Sequence, residues 1–545
     1  MYRFNGTFPW YGSFHLLTIS LSIYLLWETL KYSMTNVSFV QRIILLAPIM
    51  SMAVWFSFSL QFTQTAVIAT ASGVFLFLKG FESKQKITLS NKSLGTLSII
   101  FGLSWRIESG FLAILYIFTS YLIIKVILKR QNPFELNFIV NVVGPILAIL
   151  ILVVSSDAVQ DKYEQGKSEA TAQNFEELNS ARGNIHGWQY DFLDEKVEKS
   201  LRKEIGWSPN DLKLFKSFFF TDENIYSVSN LEKYSFLYQQ NLYFGGLFDF
   251  KAYILNFYEE MQILFIIIVL FNISLYLLFG GDKRSLTALA SNLVLFSTVV
   301  ASILLISSIP PRVFYSLIFL GLLNSMYIFS NIQKKVSSKF NSLGETVKII
   351  LKIISNKSNK PTKKSYAFEL RIKLVFASIF TILITVLFIF YFGPYFKKSI
   401  NYRTDVCQNQ NYYLITDFLY SKPILAFPSF TSAISECINP LDSPQKFKNF
   451  WKKVIPLGWT VRSPQYYDKL TEMGLSSDLI DELVSGEIYL GVANNLEIQM
   501  ISQFALEHKN VRITWEETPL AYSGNNLQVW KIKNNNLSFI QKIDE

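Results

Sequence analysis

Long apolar runs recur along this chain, and they limit its fold more than any other feature. Ten stand out, at residues 13–29, 37–58, 63–78, 94–105, 111–128, 138–154, 261–279, 292–309, 313–330 and 374–392. A helix crossing a ~30 Å hydrocarbon core needs about 20 apolar residues, and only helices or closed barrels satisfy their backbone there. The pattern predicts an α-helical polytopic membrane bundle of about ten transmembrane segments. Composition agrees, since only 17% of residues are charged against about 25% in soluble domains.

Charge orients the segments. Residues 94–128 are too long for one span, and a hairpin turning at Arg106-Ile-Glu-Ser-Gly110 resolves them. With that turn, Lys31, Lys79, Lys84, Lys86, Lys92, Lys129, Arg130, Lys283, Arg284 and the basic loop 331–373 all fall on one side. Arg106 and Arg312 are the cations left in the opposite short loops. Lys and Arg gather on the cytoplasmic side of membrane proteins, so that side holds the lysine loops. The net charge of +10 is thereby explained without nucleic acid, which we exclude as a partner. The expected location is the cell (inner) membrane, with membrane lipids as the surrounding partner. Within the basic loop, residues 346–356 alternate Lys with Ile, Leu and Val, which suits a short helix lying on an anionic leaflet.

Four regions follow: a first bundle part over 1–154, a helical extracytoplasmic loop over 155–260, a second bundle part over 261–392, and a C-terminal extracytoplasmic α/β domain over 393–545. In the loop, Ser208-Pro209-Asn210-Asp211 has the pattern of a capping box with Pro at the first helical position. Ser229-Asn-Leu-Glu232 repeats it. In the tail, strands are expected at 411–416, 423–427, 487–492, 511–517 and 527–532. Helices are expected from Ser463-Pro464 to Met473, ended by Gly474, and over 495–508. Cys407 and Cys437 leave open one disulfide or two buried thiols.

Motifs for chemistry are sparse. No nucleotide loop, nucleophile elbow, HExxH or CxxC occurs, and the three histidines are too scattered for a metal cluster. Arg106 and Glu108 sit at the hairpin tip, where an Arg fork suits a lipid phosphate; snorkelling or pairing with Glu108 is the plainer reading. Sugar transfer needs a carboxylate to take the acceptor proton and cations near the leaving phosphate. Asp191, Asp211, Asp222, Glu259 and Glu260 are candidates by location, though Asn210 and Asp211 are also explained by capping. Arg182 and His186, in Asn179-Ser-Ala-Arg182-Gly-Asn-Ile-His186, are candidate substrate contacts, with Asn210 beside them.

Several stretches resemble an uncharacterised family of bacterial polytopic membrane proteins found among envelope-polysaccharide genes, whose layout is similar to GT-C glycosyltransferases. They are Phe8-Pro9-Trp10-Tyr11-Gly12, Ser104-Trp-Arg106-Ile-Glu108-Ser, Ala181-Arg182-Gly-Asn-Ile185, Gly206-Trp207-Ser208-Pro-Asn210-Asp211, Gly458-Trp-Thr-Val-Arg-Ser463-Pro464 and Glu487-Ile-Tyr-Leu490. The resemblance implies an enzyme using a polyprenyl-phosphate-linked sugar or glycan at the outer membrane face. This chain departs in two places. An earlier helix and an acidic first outer loop are expected before Met1, and His186-Gly187 stands where an acid is expected. A polysaccharide polymerase or ligase using Arg182 and His186 is the alternative, and a non-enzymatic envelope assembly or export partner is another. No cofactor is identifiable, and a divalent cation stays open because GT-C enzymes differ in using one.

Overall fold

A computed structural model of the protein describes residues 10–33, 39–59, 61–83, 88–129, 135–165, 169–187, 195–245, 266–273, 275–276, 283–306, 311–332, 422–428, 452–492, 494–517 and 528–533. The expected span at 374–392 and parts of the one at 261–279 lie outside these residues. So do the basic loop 333–373, the strand at 411–416, Asp191, Glu259, Glu260, Cys407 and Cys437.

The chain begins with α1 (Trp10–Ser33), α2 (Phe39–Ser59), α3 (Phe62–Ser83), α4 (Leu89–Trp105) and α5 (Ile107–Ile123). Arg106 breaks the helix between α4 and α5 with an extended backbone, at the turn the charge argument requires. The chain then folds back, so that a Cβ on Gly110 would lie 2.8 Å from Leu103 Cδ2. Two π-helical stretches, Ile124–Lys129 and Ile139–Val143, precede α6 (Gly144–Gln165). Next come α7 (Glu169–Gly187), α8 (Glu195–Ile205), α9 (Pro209–Lys216) and α10 (Val228–Gly245). Helix α9 starts as its sequence dictates: Ser208 and Asp211 form a reciprocal capping box, with Pro209 inside the first turn. Helix α10 begins before the expected Ser229 cap, because Ser227 Oγ already accepts from the Asn230 amide at 3.3 Å.

Helices α11 (Lys283–Ile306) and α12 (Pro311–Ile332) follow. The tail contributes β1 (Ile424–Ala426), β2 (Val454–Pro456), α13 (Pro464–Met473), α14 (Leu479–Val484), β3 (Tyr489–Val492), α15 (Asn495–Lys509), β4 (Trp515–Glu517) and β5 (Gln528–Ile532). Its sheet runs β2-β1-β3-β5-β4. Strand β1 is parallel to β2 and β3, while β5 is antiparallel to β3 and β4. Helix α13 has its Ser463 cap and ends at Gly474, whose φ of 69° is open to glycine without a Cβ clash. Strand β2 and helix α14 were not expected from the sequence.

The chain divides into two compact units, one of Tyr11–Val159 with Phe257–Phe396 and one of Gln160–Asn256 with Lys397–Glu545 and Met1–Trp10. Among the described residues of the first, four helices are long and apolar enough to cross a membrane: Tyr11–Lys31, Phe62–Glu82, Ile107–Val126 and Leu136–Ser156. Three shorter apolar helices accompany them. The protein is membrane-embedded on that basis. Glycine lets α3 and α4 touch: a Cβ on Gly73 would lie 2.6 Å from the Gly95 carbonyl oxygen, and one on Gly102 2.2 Å from Thr70 Oγ1. Small residues at such contacts bring membrane helices close enough for dispersion and polar bonds to hold them. Ser98 Oγ donates across the same contact to the Ala69 carbonyl at 2.8 Å. Between α11 and α12, Asn292 Nδ2 donates to Ser325 Oγ at 2.8 Å, and Asn324 donates to Asn292 Oδ1.

The second unit joins the central segment and the tail, which the sequence presented as separate regions. They share one apolar core. Phe219, from the segment after α9, stacks on Phe427 (6.4 Å between centroids) and meets Phe504 of α15 edge-on at 5.4 Å. Burying a Phe side chain contributes about 1.5–3 kcal/mol, so neither half keeps that contribution alone.

Candidate functional site

Helix directions bring the chemistry of the bundle to one end. His15 Nδ1, near the start of α1, lies 2.7 Å from Thr65 Oγ1, near the start of α3. Tyr327, late in α12, meets Phe75, late in α3, at 5.2 Å, so these two helices run the same way. Arg106 precedes α5, and Arg312 opens α12 near enough to feel the charge of Arg106. The starts of α1, α3, α5 and α12 therefore converge, and each helix N-terminus carries partial positive charge. Arg106 Nη1 donates to Thr63 Oγ1 at 2.9 Å, and its Nε meets Glu108 Oε2 at 3.3 Å. A third of the Arg106 side chain stays exposed, and Glu108 is 78% exposed. The plainer expectation, pairing with Glu108, is thus realised, while Arg312 adds a second cation. The sequence carried that signal: these were the two cations left on this side.

At the opposite end, the described residues include two ion pairs. Lys79 pairs with Glu82 at 3.1 Å, almost wholly enclosed, and lies 4.4 Å from the Tyr327 ring centroid. Lys125 pairs with Glu135 at 3.5 Å.

In the mixed unit, the residues singled out from sequence hold the fold. Arg182 of α7 is completely buried. Its Nε and Nη2 donate to Asn179 Oδ1 at 3.1 and 2.9 Å, its Nη1 to the Val461 carbonyl at 3.3 Å, and its Nη2 to the Trp459 carbonyl. Phe175, Phe220 and Trp459 stack around the guanidinium at 5.1–5.3 Å. Burial, then the charge of nearby Arg462, lower its pKa to about 10, so it is still a cation at neutral pH. His186 lies on the same helix.

Asp211 is also fully buried. Its Oδ2 accepts from the Ser208 amide at 2.7 Å and its Oδ1 lies 2.8 Å from His508 Nε2. Asn210 Nδ2 donates to the Met500 carbonyl at 2.9 Å. Glu507 completes a set whose possible ligand atoms with Asp211 and His508 lie within 4.8 Å. Each is already a hydrogen-bond partner, since Glu507 accepts from Ser208 Oγ and Gln503 at 2.7 Å. Asp222 Oδ1 accepts from the amides of Asn224 and Ile225 at 2.9 and 3.0 Å, fixing a turn. Of the residues expected from the sequence, Asp211 forms a helix cap and Asp222 a turn clamp, and Arg182 and Asn210 make bonds within their own unit.

The chain matches no protein family profile, and no curated protein or solved structure is significantly similar to it. Fold and site define the class by themselves: a multi-helix membrane protein with a cationic bundle end and a separate mixed α/β unit.

Proposed function

We propose that the cationic bundle end binds the phosphate of a polyprenyl-phosphate-linked sugar or glycan, and that the protein acts in envelope polysaccharide biogenesis as a GT-C-like glycosyltransferase of the cell membrane. The observation carrying this is a partly exposed Arg106, with Arg312 within range of its charge, at the end where the starts of α1, α3, α5 and α12 converge. Arg suits a phosphate by its bidentate geometry. In this reading the lysine loops face the cytoplasm, and the cationic end, residues 155–260 and residues 393–545 face outward. Transfer breaks the bond between the anomeric carbon and the phosphate oxygen, and the acceptor hydroxyl yields its proton to a carboxylate. Glu108 beside Arg106 supplies that carboxylate.

The structural roles of Asp211 and Asp222 favour a second reading, an assembly or export partner that binds the lipid phosphate without turnover. The polymerase reading loses support, because Arg182 is enclosed by its own unit. The test is binding of undecaprenyl phosphate to the full chain in nanodiscs, followed by native mass spectrometry. Removing either arginine as Arg106→Ala or Arg312→Ala is expected to weaken binding about tenfold or more. Unchanged affinity in the double variant overturns the proposal. Binding without release of sugar from a labelled lipid-linked donor selects the assembly reading.

A further inference from the structure

Helix α15 ends in Glu507, His508 and Lys509, and Glu507 meets the start of α9 through Ser208. One possible ligand atom from each of Asp211, Glu507 and His508 lies within 4.8 Å of the other two. Asp211 Oδ1 and His508 Nε2 are 2.8 Å apart. Bonds of about 2.0–2.2 Å to a tetrahedral ion set its ligands roughly 3.3–3.6 Å from one another. The spacings here bracket that range, so small side-chain movements close the set. A single histidine is enough, because one carboxylate adjoins it in sequence and the fold brings the other.

The charge of this corner is one-sided. Asp211 is fully buried, and no described Lys or Arg pairs with it or with Glu507. Lys509, next in the chain after His508, turns to Asp478 and, at 3.4 Å, to Asp481. Buried charges are ordinarily paired or coordinate a metal, and a second carboxylate nearby strengthens the demand for a cation. The hydrogen bonds present leave coordination open. Asp211 Oδ2 holds the Ser208 amide at 2.7 Å, so Oδ1 is the ligand. Glu507 accepts from Ser208 on Oε2 and from Gln503 on Oε1, both at 2.7 Å, and a carboxylate oxygen has a second lone pair. Phe504 packs on the imidazole at 4.6 Å between centroids. Outer contacts of this kind orient metal ligands. An ion enters past Glu507, which is exposed, and His508, whose side chain is 19% exposed.

We infer that Asp211, Glu507 and His508 bind a divalent transition-metal ion of the zinc class, which clasps α9 to α15. Imidazole with carboxylates suits such an ion, whereas Mg²⁺ and Ca²⁺ take oxygen ligands. The ion replaces the hydrogen between Asp211 Oδ1 and His508 Nε2, the imidazole carries its hydrogen on Nδ1, and water fills the open position. The inference goes beyond the lipid-phosphate reading and does not depend on it.

The full chain, made without a polyhistidine tag, is stripped with EDTA in nanodiscs. It is then titrated with Zn²⁺ by calorimetry and with Co²⁺ by visible absorption. One saturable equivalent is expected, with the cobalt bands of a four-coordinate site. His508→Gln and Glu507→Gln should each weaken binding about tenfold or more and abolish those bands. Saturating Zn²⁺ should raise the melting midpoint of the native chain by about 5 °C or more, and that of neither variant. A native chain without a saturable site, variants that bind like it, or equal competition by Ca²⁺ overturns the inference. Should a variant unfold, imidazole NMR of the native chain decides, since it has only three histidines: Zn²⁺ must shift the His508 signal, and an unmoved signal refutes the site.

Discussion

His508 Nε2 lies 2.8 Å from Asp211 Oδ1, although 297 positions separate the two residues. The carboxylate also closes the α9 capping box through the Ser208 amide, so one buried group fastens a helix start in the central segment to helix α15 of the tail. Asp211→Ala removes both bonds and leaves buried donors without partners. The expected cost is about 2–4 kcal/mol, and His508→Ala costs about 1 kcal/mol. Denaturant melts of the solubilised protein measure both, and equal small losses would refute the double role.

Arg182→Lys keeps the charge and loses the fork. A lysine cannot reach Asn179 and the carbonyls of Trp459 and Val461 together, so two buried acceptors lose their donor. A loss of about 2–3 kcal/mol is expected, with faster limited proteolysis near residues 457–463. Protection equal to the native protein would show that the loop is held otherwise.

These two ties explain where sequence reasoning succeeds and stops. The Ser208 and Ser463 caps were legible because the amides that make each cap lie within four residues of chain. The hairpin turn at Arg106 was legible from the length of the apolar stretch and the distribution of charge. What Asp211 and Arg182 do beyond their own helices was not, because their decisive partners are a histidine and two carbonyls far along the chain. Strand β2 is three residues long and ends at Pro456, so it shows no alternation. Its place follows from pairing with β1. The cationic bundle end was half visible: topology isolated Arg106 and Arg312, and helix direction joins them.

Alkali should loosen the mixed unit as the pH rises above about 10, the ordinary pKa of a tyrosine in a denatured chain. Burial, then the bond and charge from Glu223, push Tyr467 up to about 12. Tyr226 is raised as well, by burial and then by the charges of Asp211, Asp222 and Glu507. A folded pKa above the unfolded value means that the native state binds more protons in between, so this contribution is whole below about 10 and falls as pH rises toward 12. Arg182, lowered to about 10, acts in the opposite sense over part of that range. Stability measured against pH should still decline there, and Tyr467→Phe should flatten the decline. A slope unchanged by that substitution would remove Tyr467 as a cause.

Gly102 and Gly183 make a matched pair of tests in the two units. A Cβ at Gly102 would lie 2.2 Å from Thr70 Oγ1 and 2.8 Å from the Ala66 carbonyl oxygen, whereas at Gly183 nothing lies within 4 Å. Gly102→Ala should push α3 and α4 apart and cost about 1–3 kcal/mol. Gly183→Ala, at a half-buried position of α7 with open space around it, should be neutral or stabilise by about 0.5–1 kcal/mol. Thermal melts in detergent compare them, and similar melting temperatures for both variants would contradict the close approach.

The shared core of the mixed unit has a consequence for how the protein is made. The ribosome emits Leu214, Phe215, Phe219 and Phe220 well before it emits Phe427 and Phe504, with bundle helices in between. Until the last stretch arrives, the apolar surface stays unfinished, and non-local completion of this kind is slow and aggregation-exposed. A premature stop anywhere ahead of β1 therefore deprives the nascent chain of its tail and also leaves the earlier helices without a partner to fold against.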